Sequence, residues 1–211
     1  MIKVYGYPQT RSRRITWMLE ELEQDYEFVL IDFNKGESQS AEYLAINPAG
    51  KVPAMADANL TLTESAAILT YLGDKFGEKK LVPSAGTAER GKFDQWGYFS
   101  ACELEQPLWT IGKHRFAIPE EHRVPEIMKT AAWEFQRALH LLDLGLRDNR
   151  YILGDQFCGA DILLCHTLIW AINFKQPVEQ QNLQDYVRRC RERPALARAI
   201  SKEEAALTAT E

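Results

Sequence analysis

No apolar run in this chain approaches the roughly 20 residues a helix needs to cross a bilayer, so no membrane span is expected. Charge does not cluster either. The formal net charge is −5, with no long run of one sign. A chain built to grip nucleic acid carries a clustered basic face, so no nucleic-acid partner is expected. Cysteine is sparse: Cys102, Cys158, Cys165 and Cys190 all lie in the second half, and no C-x-x-C occurs. That usage fits reduced, mostly buried thiols in a cytosolic protein. His114, His122, His140 and His166 share no metal-ligand spacing with one another or with the cysteines, so no metal is expected. The opening MIKVYGYP runs straight into a strand pattern without signal-peptide features, and the expected location is the cytoplasm. Internal repeats and low-complexity tracts are missing too.

What is present is enough for a packed core: 211 residues, 45% of them hydrophobic. Up to about residue 82, strand and helix signals alternate. Residues 2–7 read as a strand, and Ile15, Met18, Leu19 and Leu22 follow with helical spacing. Tyr26 to Ile31 is apolar on both faces, as a covered strand would be. A short helix around Tyr43 and Leu44 ends near Asn47-Pro48. Residues 53–56 and 60–62 read as strands joined by the Asp57-Ala58-Asn59 turn, and a helix over 64–76 closes the half. The order β-α-β-α-β-β-α is the thioredoxin-like arrangement. Val82-Pro83-Ser84-Ala85-Gly86 punctuates the chain. Beyond it no strand signal appears, and helices are expected near 87–112, 124–147, 160–174, 183–192 and 195–205. The predicted class is therefore α/β plus all-α. A thioredoxin-like domain over 1–82 leads through a linker at 83–88 into a helical bundle over 89–211.

Two helix starts carry candidate chemistry. Between the first strand and helix lies Pro8-Gln9-Thr10-Arg11-Ser12-Arg13-Arg14. Thr10 or Ser12 can cap that helix. Three arginines there oppose the macrodipole. They suit either a bound anion at the helix start or acidic partners elsewhere in the chain. A redox C-x-x-C would sit here in this fold. The site instead offers hydroxyls, so a reactive thiol has to arrive with a ligand. At the second start, Thr63-Glu64-Ser65, a hydroxyl suits a cap and the acid suits the dipole. The same residues suit an amino-acid head: Glu64 for its ammonium, Ser65 and the helix amides for its carboxylate. Proline at 53, just before an apolar run, cannot donate to a sheet ladder and is confined to an edge, a first strand residue or a bulge.

In order and spacing, these pieces resemble the cytosolic glutathione transferases. They are Thr10/Ser12, then Asn47-Pro48-Ala49-Gly50-Lys51-Val52-Pro53, then Thr63-Glu64-Ser65-Ala66-Ala67-Ile68-Leu69-Thr70-Tyr71-Leu72. Trp17 to Leu22 and the helical second half share the likeness. The resemblance implies that Pro53 is a cis-proline aiming the Val52 main chain at glutathione, whose cysteinyl part adds to the sheet edge. Glu64 and Ser65 would hold the γ-glutamyl end, and Lys35, Gln39 or Lys51 the glycyl carboxylate. Thr10 ranks first as thiol activator, then Ser12, then Tyr5 and Tyr7. The second half would supply an apolar electrophile pocket with Tyr98 and Trp109, and Lys113 and His114 to neutralise a departing anion. The family likeness also implies detoxification and a homodimer. Alternatives within the resemblance are a glutathione-dependent peroxidase, isomerase or dehalogenase, and a binding protein without turnover. Gly154 to Asp161 resembles the family's folding motif. There Cys158 takes the place of a hydroxyl cap and Asp161 answers it, so a weakened helix start or a cap shifted to Asp155 is expected.

Overall fold

The structure is a computed structural model, and it describes residues 1–209. Four short strands make one sheet. They are β1 (Ile2–Gly6), β2 (Tyr26–Leu30), β3 (Ala54–Asp57) and β4 (Leu60–Thr63), in the spatial order β2-β1-β3-β4. β1 pairs parallel with β2, and β3 runs antiparallel to both β1 and β4. Parallel pairing of β1 and β2 requires a crossover, and α1 (Ser12–Glu21) provides it. Ile15, Met18, Leu19 and Leu22, the residues that set the helical spacing, are all buried. The YEFVL strand differs from expectation. Tyr26 is buried, while the four residues after it are only half-buried. β2 is an edge strand of the sheet, so one flank lacks a neighbouring strand.

The short helix α2 (Ala41–Leu44) starts on Ser40, whose hydroxyl accepts from the Tyr43 N–H at 3.1 Å. α3 (Ser65–Lys75) follows β4 and buries Ile68, Leu69 and Leu72. The chain divides into two compact units. The first is Met1–Val82 together with the segment from Arg191 onward; the second is Pro83–Cys190. The expected boundary after residue 82 marks the end of the first segment.

In the second unit, α4 (Ala88–Phe99) begins on Thr87, whose hydroxyl accepts from the Arg90 N–H at 3.2 Å. The sequence places one long helix over 87–112 with a break at Pro107. Pro107 instead lies inside α5 (Glu105–Gly112), and the irregularity comes a turn earlier. There residues 100–104 widen into a π-helical turn. A proline ring clashes with the carbonyl four residues back, here that of Glu103, and the wide turn falls on that carbonyl. A second π turn, Lys113–Ala117, ends this run of helix. α6 (Ile127–Leu146) turns Ala131, Phe135, Ala138, Leu139, Leu142 and Leu146 inward at helical spacing.

α7 (Gly159–Asn173) is buried on almost every face of its first three turns. Its start keeps the cap at Cys158. The Asp161 carboxylate accepts from the N–H of Cys158 and of Ile152, both at 2.9 Å. It also takes the phenol of Tyr186, at 2.5 Å, from α8 (Gln181–Arg191). The acid side of the motif therefore serves three donors, and no shift to Asp155 occurs.

The last helix, α9 (Pro194–Thr208), was expected in the helical bundle and instead belongs to the first unit. It begins with a proline, the residue that tolerates the unpaired first position, and lies against α1 and β2. Arg193 forks onto Glu21 at 2.5 and 2.6 Å, and Arg198 reaches Glu20 at 2.8 Å. The Lys202 ammonium lies 3.6 Å from the centre of the Tyr26 ring.

Candidate active site

Strand register gathers the candidate residues at one end of the sheet. Tyr5 pairs with Ala54, and Ala54 pairs with Thr63. The residues just beyond that row are Gly6-Tyr7 after β1, Pro53 before β3, and Glu64 after β4. On the other flank Gly6 pairs with Leu30, so Asp32 to Lys35 emerge at the same end. The hydroxyl turn, the proline step, the acid–serine pair and Lys35 thus emerge at one end of the sheet from four separate strands.

Thr10 and Ser12 share one small network. The Ser12 hydroxyl accepts from the Tyr7 N–H at 3.1 Å and donates to the Tyr7 carbonyl at 2.9 Å. The Thr10 hydroxyl lies 2.7 Å from the same carbonyl and 2.5 Å from the Ser12 oxygen. The two differ in access. Ser12 is 0% exposed, whereas Thr10 is half-buried. Gly6 makes room for this packing, because a Cβ there would stand 2.6 Å from the Ser12 oxygen. Neither hydroxyl caps α1 in the ordinary sense: its N-cap is Arg11, without a side-chain cap bond. Thr10 accepts from the Ser12 N–H at 3.3 Å instead. Tyr5 and Tyr7 are half-buried, their rings set against Tyr43 and Phe33 at 6.1 and 5.2 Å.

Of the three arginines, two have identified roles. Arg13 reaches the buried acid Glu203 at 2.8 Å, so the acidic-partner reading holds for it. Arg14 is buried and donates to the Ser65 hydroxyl at 3.0 Å. Its guanidinium therefore stands directly behind the serine expected to meet a carboxylate.

The Val52–Pro53 peptide bond is cis. Its approach is held by Asn47, whose side chain accepts from the Ala49 N–H at 3.1 Å and donates to the Lys51 carbonyl at 2.6 Å. This is a turn of the kind asparagine favours. The Tyr43 phenol donates to the same carbonyl at 2.6 Å. Lys51 and Gln39 are exposed, and Gly50 has φ +60 with the Gln39 side chain resting on it. A Cβ at position 50 would lie 2.2 Å from the Gln39 amide nitrogen. Lys35 is exposed and sits 3.6 Å from Asp32. Glu64 is exposed with φ +64, a left-handed conformation rare for a side-chain-bearing residue, and it makes no side-chain cap to α3.

In the second unit, Tyr98 lies on α4 with 72% exposure, and Trp109 lies half-buried on α5. Lys113 and His114 open the second π turn. His114 Nδ1 accepts from the Val124 N–H at 3.0 Å, so the neutral ring carries its proton on Nε2. Among the described residues, no group of three or more His, Cys, Asp or Glu side chains is placed to hold a metal ion. None of the described helices is long and apolar enough to cross a membrane.

A family model described as glutathione S-transferase, N-terminal domain, matches residues 1–74. Glutathione S-transferase 3 of Schizosaccharomyces pombe is 30% identical, in an alignment covering 97% of this chain and 88% of that protein. The chain belongs to the glutathione S-transferase family. A second relative, the disulfide-bond oxidoreductase YfcG of Escherichia coli, is 31% identical over 96% of this chain and 95% of its own. Among solved structures, a glutathione transferase family member from Pseudomonas fluorescens, with two glutathione bound, aligns with a TM-score of 0.85 at 26% identity. That match covers 94% of this chain and 92% of the other. Family membership accounts for the thioredoxin-like first half and the helical second half.

Sequence reasoning did not assign the contacts made by Arg14, Asn47, the Tyr7 main chain and Glu203. Asn47 and Arg14 lay inside stretches already singled out. Only their neighbours in space assign their tasks.

Proposed function

We propose that this chain is a glutathione transferase that binds glutathione along Lys51–Pro53 and Glu64–Ser65 and ionises its thiol on Thr10. The observation that carries the reading is the paired hydroxyl turn at the sheet end. Ser12 is locked to the Tyr7 main chain, and Thr10 is the hydroxyl of that pair with access to a ligand. With Thr10 turned to the sulfur, the Ser12 proton goes to the Thr10 oxygen or to the Tyr7 carbonyl. A hydroxyl that accepts one hydrogen bond donates a stronger one.

Free thiols ionise near pKa 8.5, which leaves roughly 3% thiolate at pH 7. A hydrogen bond from Thr10, with the α1 amides behind it, lowers that value by favouring the charged form. A drop of about 2 units gives roughly 75% thiolate and corresponds to about 2.7 kcal/mol. The thiol proton leaves to water. Thr10 keeps its own and acts as a donor, not a base. The sulfur lone pair then forms a bond to the electrophilic carbon while the leaving group takes its electron pair. Lys35, Gln39 and Lys51 supply cations and an amide for the glycyl carboxylate.

A second reading, glutathione-dependent disulfide reduction, draws support from the oxidoreductase relative. The same thiolate would attack sulfur instead of carbon. Family membership and the reduced-thiol composition support a cytoplasmic homodimer that removes electrophiles, which sedimentation and electrophile-challenge assays test.

The test is retention on immobilised glutathione together with conjugation of a chloronitrobenzene, run beside reduction of a small disulfide. Retention with conjugation is expected. Reduction without conjugation selects the second reading, and no retention by folded protein refutes both. Glu64→Gln is expected to raise KM for glutathione about tenfold, the worth of a hydrogen bond to a charged group, with kcat within about threefold. Steady-state kinetics at varied glutathione checks this.

A further inference from the structure

Glutamate on a helix rich in charge is ordinarily solvated. Glu203, on α9, is 0% exposed. Arg13 Nε and Nη2 donate to one of its oxygens at 3.0 and 2.8 Å. The Thr16 hydroxyl donates to the other at 2.6 Å. A buried carboxylate is costly unless paired and hydrogen-bonded, and this one is both. Burial still pushes its carboxyl up, against the pull of Arg13, Thr16 and the Gln9 main chain; its charge in turn helps to raise the Tyr26 phenol on β2.

The partners are informative as a set. Arg13 and Thr16 both lie in the first turns of α1, which opens at Ser12, two residues after Thr10. Gln9, immediately before Thr10, has φ +62. That left-handed conformation is unfavourable for a side-chain-bearing residue. Arg13 lies on the other side of Thr10, at the start of α1. Arg193–Glu21 and Arg198–Glu20 already tie α9 to α1 near the helix end, so anchoring the helix does not require a buried acid at 203.

We propose that Glu203 is a positioning residue for the thiol-activating turn: delivered by the C-terminal helix, its carboxylate fixes Arg13, whose main-chain N–H holds the Thr10 carbonyl at 3.1 Å, and so aims the Thr10 hydroxyl at the ligand sulfur. The proposal rests on the glutathione reading given above. It makes the last helix part of the catalytic apparatus without any contact of its own with substrate.

The experiment uses the full-length protein with Glu203→Gln and Glu203→Asp, measuring the thiolate absorbance of bound glutathione against pH alongside kcat and KM. In E203Q the bound thiol pKa is expected to rise by about one unit, a tenfold change in its ionisation. The kcat at pH 7 falls several-fold, and the gap closes toward pH 9. KM for glutathione stays within about twofold, because Glu64, Ser65 and Val52 stand on other segments. E203D, which keeps the charge, recovers part of the loss. A folded E203Q protein with an unmoved thiol pKa, or with kcat and KM altered together at every pH, overturns the proposal. Should E203Q fail to fold, Arg13→Lys keeps the cation and loses the fork. The same rise is expected there, and its absence is equally fatal. Retention of wild-type protein on immobilised glutathione, measured in parallel, separates the two levels. Failure there removes the glutathione reading and the proposal with it, whereas retention with unmoved variants removes the proposal alone.

Discussion

Thr10→Ala is expected to slow conjugation at pH 7 by up to about 25-fold, the ratio between roughly 75% and 3% thiolate. The loss should shrink as pH rises, to less than about twofold near pH 9, because a thiol of pKa 8.5 is by then largely ionised without help. KM for glutathione should change little, since the grip proposed for the tripeptide comes from Glu64, Ser65 and the Val52 main chain. Ser12→Ala should act differently. Ser12 is fully buried and takes the Tyr7 N–H, so its loss strands a main-chain donor. Stability should fall by about 1–3 kcal/mol, with a smaller effect on the thiol. Tyr5→Phe and Tyr7→Phe should leave the rate within a factor of two, because each ring packs tilted against another aromatic, Tyr43 and Phe33 respectively. A pH–rate series across these four variants assigns the donor.

Asp161→Ala should be the most damaging single change to the fold. Its carboxylate is 0% exposed and accepts from Ile152 N–H, Cys158 N–H and the Tyr186 phenol. Alanine leaves all three donors buried without an acceptor. Each orphaned donor costs about 1–3 kcal/mol, and a loss of about 4 kcal/mol in total is a large share of the 5–15 kcal/mol that stabilises a typical domain. Asp161→Asn keeps one carbonyl oxygen and should cost about half as much. Urea unfolding of both variants tests this: equal losses would show that the charge, not the acceptor count, matters. Both variants should keep Thr10-dependent thiol ionisation where they remain folded, because Asp161 lies in the other unit.

Local patterning made most of the fold legible. Ile15, Met18, Leu19 and Leu22 stood at helical spacing and are buried; Ala131, Phe135, Ala138, Leu139, Leu142 and Leu146 are buried at the same spacing. The sheet-end convergence was legible too, because proline, glycine and helix-start residues carry backbone constraints that sequence displays. Three things were hidden for identifiable reasons. A π turn at 100–104 has no residue-type signature, so the proline nearest to it took the blame. The YEFVL strand has the composition of a covered strand, and only sheet order reveals it as an edge. Glu203 is an ordinary acid on a charged helix until its partner, 190 positions earlier, is placed beside it. The same distance hid the fact that α9 returns to the first unit.

Cys158 teaches a related point. A thiol is a poor cap, which suggested a weak helix start. The capping box has two halves, however, and the acid half holds the Cys158 N–H at 2.9 Å while also binding Ile152 and Tyr186. Network satisfaction offsets a weak member, and that compensation is invisible to a residue-by-residue reading.

The most direct measurement is a crystal structure of the protein grown with glutathione at saturating concentration. The tripeptide's sulfur should lie within hydrogen-bonding reach of Thr10 Oγ1, with its cysteinyl main chain paired to Val52 and its γ-glutamyl end on Glu64 and Ser65. A sulfur seated on the phenol oxygen of Tyr5 or Tyr7, or a sheet end that stays vacant, would contradict the account.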